Sequence, residues 1–466
     1  MSLFVREAEV AGRIVDVRIA GGVVTALAGK LRPTVGDLVV EADGGALIPG
    51  LHDHHLHLLA MAAAMQSVSC GPPSVTDGTQ LRESLERAAG GLAPGEWLRG
   101  VGYHESVAGP LDRHTLDGLV AGVPIRVQHR SGALWVLNSA ALRLVGPHLD
   151  RGADVERDEQ GRPTGRLWRY DARLRDILGA QPPDLRKVGE RLTSLGITGV
   201  TDATPDLDAA GRRIVVDAVD SGRLPVRVHL LGTPAPDAHT PGVTYGPRKL
   251  LLRDHDLPAL DDLAATISGV HSTVTPVAVH CVTRESLLLT LVAIEQVGAL
   301  PGDRIEHAAV VPPEVTEWIA RLGLRVVTQP GFIAERGDQY LSDVDPADHP
   351  LLYPYGSLLG AGIDVAPSSD APYGPLDPWE IMRSAASRST AAGRIITPAE
   401  RVSPATVLDG YLSDPETPGG APRQVVVDAP ADLCLLDDRL EQVLADPRAG
   451  RVRLVIRAGV VIDPRH

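Results

Sequence analysis

Between Leu51 and Ser369 short apolar runs alternate with segments whose apolar positions recur at helical spacing. Leu51–Leu58, Gly199–Ala203, Val226–Leu231, Lys249–Arg253, Pro276–Cys281, Arg304–Ala308, Arg325–Gln329 and Ile363–Ser369 read as strands. Leu185–Leu195, Ala209–Val219, Leu260–His271, Arg284–Val297 and Pro313–Leu322 read as the helices between them. Such alternation predicts a parallel sheet, and eight strands fit a (β/α)8 TIM barrel. The ends of the chain differ. Arg13–Ile19 and Val23–Ala28 flank Gly21-Gly22, a hairpin signal, and Asp37–Glu41 and Ala46–Ile48 follow. Asp432–Leu436, Val452–Arg457 and Val460–Ile462 repeat the pattern at the other end. One small β domain, built from residues 1–50 and 400–466, is expected around a barrel of residues 51–399. The gap at about 65–185 is too long for a strand-to-helix connection and predicts an inserted subdomain. It holds strand patterns at Trp97–Gly102 and Pro124–His129 and a helix at Asn138–Val145. Pro330–Ser357 predicts a lid or substrate loop.

Length agrees: 466 residues at roughly 150 per domain give about three domains, or one large barrel and a smaller partner. With 44% apolar residues the core can be sizeable. A net charge of −14 should be repelled by polyanions. Nucleic acid and membrane are therefore not expected as partners, and a small-molecule substrate is. Cys70, Cys281 and Cys434 lie far apart without a CxxC, which excludes a disulfide scaffold and a cysteine zinc site and suits a reducing cytosol. The N-terminus carries acidic residues and no signal-type apolar core. The most apolar runs, Leu58–Met65 and Leu287–Ile294, fall short of the roughly 20 residues that span a bilayer. A cytoplasmic globular protein is expected.

The densest chemical signal is Pro49-Gly50-Leu51-His52-Asp53-His54-His55-Leu56-His57. In a strand, alternation puts Asp53, His55 and His57 on one face and His52 and His54 on the other. Imidazoles at i and i+2 can chelate one metal ion. In a chain with 16 histidines the pattern is also compatible with a structural patch, and His52 and His54 read that way. His280, His307 and Asp370 each close a predicted strand, and C-terminal strand ends are where barrel active sites assemble. Nitrogen and oxygen donors suit Zn²⁺, with Mn²⁺, Fe²⁺, Co²⁺ and Ni²⁺ left open. Lys249 opens an apolar run. A bare ammonium inside a barrel beside metal cations is disfavoured, so spacing alone turns it outward. Only three of the 45 basic residues are lysines, a bias that fits GC-rich coding.

In order along the chain stand AGRIVDVRIAGGVVTALAG and GALIPGLHDHHLHL, then WLRGVGYHES, VPIRVQHRSGALWVLNSAAL and GRPTGRLWR in the insertion. GITGVTDATPD, YGPRKLLL, VAVHC, DRIEHAAVVPPE, VVTQPGF and VAPSSDAPYGPLDPW follow. This ordered set covers nearly the whole chain and resembles the amidohydrolase superfamily, in the branch called amidohydrolase family 3, or YtcJ-like. The resemblance implies a distorted (β/α)8 barrel with a small β-sandwich from both termini. It implies that His55 and His57 hold one divalent metal, that His280 and His307 hold a second, and that Asp370 is both a metal ligand and the catalytic residue. It also implies that Lys249 carries a CO2-derived carbamate bridging two ions, which replaces the disfavoured cation by an anion. One or two metal ions, with zinc the expected element, remain open. The implied reaction is hydrolysis of a non-peptide C–N bond, in an amide, a cyclic amide or an N-acyl amine, by a metal-activated hydroxide with Asp370 as general base and acid. Alternatives are a mononuclear deaminase-like hydrolase or an isomerase on the same fold, or an inactive binding protein. Substrate contacts are sought at Arg130, Trp135, Asn138 and Gln329. Some relatives carry histidine where this chain has Ala133, and Cys434 stands where an aliphatic is common. Relatives are often dimers, so a homodimer is the expected assembly.

Overall fold

A computed structural model describes residues 2–72, 74–93, 95–179, 183–232 and 240–462. The chain divides into two compact units, Met1–Leu58 with Leu185–His466, and Leu59–Asp184. The first unit contains two all-parallel sheets. One runs in the order Val243–Tyr245, Arg227–Leu230, Ile197–Asp202, Leu51–Leu56, and the other Arg248–Leu250, Val277–Cys281, Arg304–His307, Arg325–Thr328, Val365–Pro367. Helices Ala209–Asp220, Leu260–His271, Arg284–Val297 and Pro313–Arg321 link successive strands.

The two faces of the second sheet follow from the period of two. Val277, Val279, Cys281, Ile305, Val326 and Val365 point to one side and share a core with helix residues such as Leu263, Leu287, Leu291 and Ile319. The opposite face carries Lys249, His280, Arg304 and Glu306. Parallel register sets Lys249 beside Ala278, Ala278 beside Arg304, and His280 beside Glu306. The sheets meet at both ends. Gly246 N donates to Leu230 O at 2.9 Å and Gly232 N to Pro247 O at 3.1 Å. At the other end Asp370 N donates to His55 O at 2.8 Å and His57 N to Ala371 O at 2.9 Å.

Each expected strand is present, most of them shorter by a few residues. The exception in kind is the fourth, expected at Lys249–Arg253. Here an extended segment serves the first sheet as Val243–Tyr245 and the second as Arg248–Leu250. Gly246-Pro247 makes the change of sheet. Proline has no N–H for a ladder, and a Cβ on Gly246 would lie 2.1 Å from His229 Nε2. A second correction concerns Pro330–Ser357. It is not an open loop but contains the helix Phe332–Asp343, and Phe332, Ile333, Leu352 and Tyr353 are buried in one cluster with Ala309 and Val310.

The termini form two four-stranded sheets. One runs Val23–Ala28, Arg13–Ala20, Ser2–Val10, Asp37–Glu41, and the other Val460–Ile462, Val452–Arg457, Leu433–Leu436, Leu47–Pro49. Leu3, Val5, Val17, Ile19, Leu47, Leu433, Leu435 and Ile456 form their shared core. Gly21 and Gly22, at φ 62° and 82°, make the two-residue hairpin turn. Ser2–Val10 escapes the sequence pattern because its pairing shifts between Val5 and Ala8, with Glu7 at φ 52°, so its buried positions do not alternate. The second unit holds a six-stranded sheet in the order Val155–Arg157, Pro163–Trp168, Leu134–Leu137, Ile125–His129, Leu98–Tyr103, Val68–Ser69. Among the described residues no helix is long and apolar enough to cross a membrane.

The strand Val365–Pro367, which leads to Asp370, depends on Gly419. Its φ is +77° and an ideal Cβ would lie 2.3 Å from Val365 N. Gly419→Ala combines an unfavourable backbone with overpacking against main chain. A loss of roughly 2–4 kcal/mol in urea unfolding is expected.

Candidate metal centre

Leu51–Leu56 is buried along its whole length, so its polar side chains must be satisfied internally. His52 Nε2 pairs with Thr201 Oγ1 at 2.8 Å, and His54 Nε2 with Gly410 O and Ser413 Oγ at 3.0 Å each. Both are tied into the scaffold, and burial holds both rings neutral. Asp53 accepts from His55 N at 3.2 Å and Ser369 N at 3.1 Å, while its other oxygen has no hydrogen-bond partner among the described residues. Burial pushes its carboxyl up to about 7.

His55, His57 and Asp370 converge, with ligand atoms all within 4.8 Å of one another. Asp370 Oδ1 lies 3.1 Å from His57 Nε2 and 3.6 Å from His55 Nε2. The His55 and His307 rings are 4.8 Å apart between centroids, and His307 and His280 are 4.4 Å apart. Strand alternation would send His307 to the face opposite Glu306. Its φ of 73° ends the strand and turns the ring to this cluster. Asp370 also has left-handed backbone, at φ 54°.

In three rings one nitrogen is engaged elsewhere. His55 Nδ1 is hydrogen-bonded to Glu306 Oε2, His57 Nδ1 to Thr204 Oγ1 at 3.3 Å, and His307 Nδ1 to Gln329 Oε1 at 2.9 Å. Each partner fixes a ring orientation and turns Nε2 toward the cluster, where that of His57 meets Asp370 Oδ1 at 3.1 Å. Burial holds His55, His280 and His307 in the neutral form a metal requires, with His280 lowered to about 3. Burial alone would raise the Asp370 carboxyl. The hydrogen bond with His57 and the adjacent His307 and His55 rings hold it well below the usual range.

Lys249 is buried on the same face as Glu306, and its Nζ has no hydrogen-bond partner among the described residues. Burial lowers its amine to about 8, against the opposing pull of Glu306. The expectation from spacing that it points outward is therefore corrected. Glu306 escapes the sequence reading. It accepts from Arg304 Nε at 2.6 Å and faces Lys249 and His55 from full burial. Arg304 and Glu306 at i and i+2 in an apolar strand were the available signal.

The substrate candidates fare unevenly. Trp135 is buried in the second unit, with its indole N–H on Asp171 at 2.8 Å and the guanidinium groups of Arg99 and Arg126 5.3 Å from its ring. Asn138 is fully buried and caps the helix Ser139–Val145. Its Oδ1 also takes Ile125 N, and its Nδ2 donates to Val123 O. Gln329 shares its amide between His307 and Ser368, so all three side chains are engaged in hydrogen bonds within the protein. Arg130 is half-buried, in the same unit. That unit also groups His104, Glu105 and His129. Both rings accept a backbone N–H at Nδ1, from Ser106 at 3.2 Å and Ser131 at 3.1 Å, which puts the proton on Nε2. His129 then donates to Glu105 at 3.0 Å, so the trio is a hydrogen-bonded cluster and not a set of free ligands.

An α/β fold of parallel strands, with histidines and an aspartate at the strand ends, defines the class. Its fold matches a solved metal-dependent hydrolase of Pyrococcus horikoshii OT3 with TM-score 0.72 at 18% identity, covering 94% of this chain and 97% of that one. The sequence model of the amidohydrolase family matches residues 38–463, and the chain belongs to that family. It is a hydrolase of carbon–nitrogen bonds other than peptide bonds. It is 28% identical over 450 residues to an N-substituted formamide deformylase of Arthrobacter pascens, covering 82% of this chain and 81% of that one. It is 27% identical over 406 residues to YtcJ of Bacillus subtilis (strain 168), covering 75% of each.

Glu306→Gln should weaken metal affinity about 10- to 100-fold, measured by chelator competition, because His55 loses its anionic partner. It should also destabilise the fold by about 3–5 kcal/mol, since Arg304 is left buried without its counter-charge.

Proposed function

We propose that this chain hydrolyses an amide, a cyclic amide or an N-acyl amine of low molecular weight at a metal centre built from His55, His57, His280, His307, Asp370 and Lys249. The observation that carries this reading is the pinning of His55, His57 and His307 through Nδ1, which leaves their Nε2 atoms as ligands beside Asp370. We read the two parallel sheets as one (β/α)8 barrel, supported by the hydrogen bonds at both junctions, and the terminal sheets as a β-sandwich.

The donor set suits zinc, with His55 and His57 on one ion and His280 and His307 on a second. The buried, unpartnered Nζ of Lys249 fits carboxylation. Neutral amine adds CO2 and releases one proton to solvent, and the carbamate would place an anion where an ammonium would oppose bound cations. Bound metal would acidify a water and polarise the substrate carbonyl. Asp370, ionised across the neutral range, takes the proton of the attacking water and delivers it to the leaving nitrogen. The formamide deformylase relative makes N-formyl amines the first compounds to assay. Three buried free cysteines go with a reducing compartment, and we assign the cytoplasm.

Asp370→Asn should lower kcat roughly 10²- to 10⁴-fold with metal content largely kept, as read by elemental analysis. Turnover near wild type would remove Asp370 from the mechanism, and ammonia as the released product would point to deamination.

A second test uses pH. The Lys249 amine, at about 8, is mostly neutral above that pH and mostly protonated below it. Bicarbonate-dependent reactivation of the chelated enzyme should therefore rise as pH increases through about 8 and fade below it. Lys249→Met should abolish the bicarbonate effect.

A further inference from the structure

Alternation sorts the six-stranded sheet of the second unit into two faces. Leu98, Ile125, Val127, Leu134 and Val136 point to one side and share a core with Leu81 and Leu85. On the other side parallel register sets Arg99 beside Arg126, and antiparallel register sets Trp135 opposite Gln128. Trp135 is buried, while both arginines are half-buried, each with its guanidinium carbon 5.3 Å from the centre of the indole. Cation–π attraction explains why one guanidinium lies on that ring. It does not explain why two like charges are brought to the same ring.

The neighbouring carboxylate does not balance them. Asp171 Oδ1 accepts from two neutral donors, the indole N–H at 2.8 Å and Gln128 Nε2 at 3.2 Å. Its charge is drawn on by Arg99 and by Arg175 of its own helix, Asp171–Leu178, as well as by Arg126. Arg126 Nε is buried and has no hydrogen-bond partner among the described residues. Burial and the adjacent Arg99 lower this guanidinium to about 10, so it stays charged in the neutral range. The half-exposed end of the side chain is where an acceptor can still arrive. Positive charge is thus concentrated here in a chain whose net charge is −14.

Guanidinium forks match oxyanions, each fork taking two oxygens. A planar carboxylate has oxygens for one fork, whereas a tetrahedral oxyanion can serve two that stand side by side. We propose that Arg99 and Arg126 form a binding site for a tetrahedral phosphate group, carried as inorganic phosphate or as the end of a phosphate monoester. Trp135 is its floor and not a ligand, since its N–H is taken by Asp171 and its ring by the two guanidiniums. The site lies within the second unit and does not rest on the hydrolase reading above.

Isothermal titration of the purified holoenzyme with inorganic phosphate tests this. Phosphate can also meet bound metal, so the binding that counts is the part Arg126 controls. Arg126→Gln should weaken it about tenfold or more, and Arg126→Lys should weaken it less, keeping the charge but losing the fork. Tryptophan emission should respond to phosphate in wild type and not in Arg126→Gln, because Arg126 lies on the Trp135 ring. Acetate should bind about tenfold more weakly than phosphate. Phenyl phosphate that binds as well as inorganic phosphate identifies a monoester site, and binding of inorganic phosphate alone identifies a site for the free ion. Arg126→Lys serves if Arg126→Gln fails to fold by thermal melting. The proposal is overturned by phosphate binding that is absent, or equal in wild type and the folded variants, or no tighter than that of acetate.

Discussion

The buried carboxylate of Glu306 is the interaction on which the rest of the centre depends. A lone ion buried this deeply costs several kcal/mol even after relaxation, so it survives only with good partners. Arg304 supplies one, through a 2.6 Å hydrogen bond from the same strand. His55 supplies another from the other parallel sheet. The two contacts do different work. Arg304 keeps Glu306 ionised, and the ionised carboxylate then fixes which nitrogen of His55 carries its proton. A charge pair within one sheet thereby sets the tautomer of a histidine on another.

The strand ends do the remaining positioning. Regular alternation would spread the polar groups over both faces of the sheet. Left-handed backbone at His307 and Asp370 brings them to one side, at a cost of order 1–3 kcal/mol each. The local structure over-determines both. Thr328 Oγ1 donates to His307 O at 2.7 Å while Gln329 holds the ring, and Asp370 N is bound by His55 O at 2.8 Å. The hydrogen bond that orients Asp370 also joins the first and last of the long series of parallel strands. Closing the series and assembling the site are then one event, so a substitution that loosens the junction should reach the chemistry.

How much of this was legible in the sequence depended on how local each signal is. Period-two runs and helical spacing gave the parallel strands and their helices because apolar burial is written residue by residue. His55, His57, His280, His307 and Asp370 were legible because their strand ends were. Gly246-Pro247 was not read as a change of sheet, since the steric demand comes from His229, a neighbour distant in sequence. The internal partners of Trp135 and Asn138 were hidden for the same reason. Their polar atoms are satisfied by Asp171, Ile125 and Val123, contacts that spacing does not show. Pro330–Ser357 was misread because its buried Phe332 and Ile333 are paired with Leu352 and Tyr353 across a turn, not within a regular pattern.

Lys249 brings the two kinds of information together. The composition favours arginine so strongly that only three lysines remain, and one of them is buried without a hydrogen-bond partner. Glu306 already has Arg304 as its hydrogen-bonded counter-charge, so a protonated Lys249 would be an ammonium buried with none of its hydrogen bonds made. Arginine would make that worse, because its charge cannot be given up. A lysine with its amine lowered to about 8 can lose the proton and accept CO2. A carbamate there would add an anion near Asp370, and the interior would acquire a need for cations that the apolar sheet by itself would never create. Metal binding and carboxylation would then stabilise each other, and loss of either should release the other.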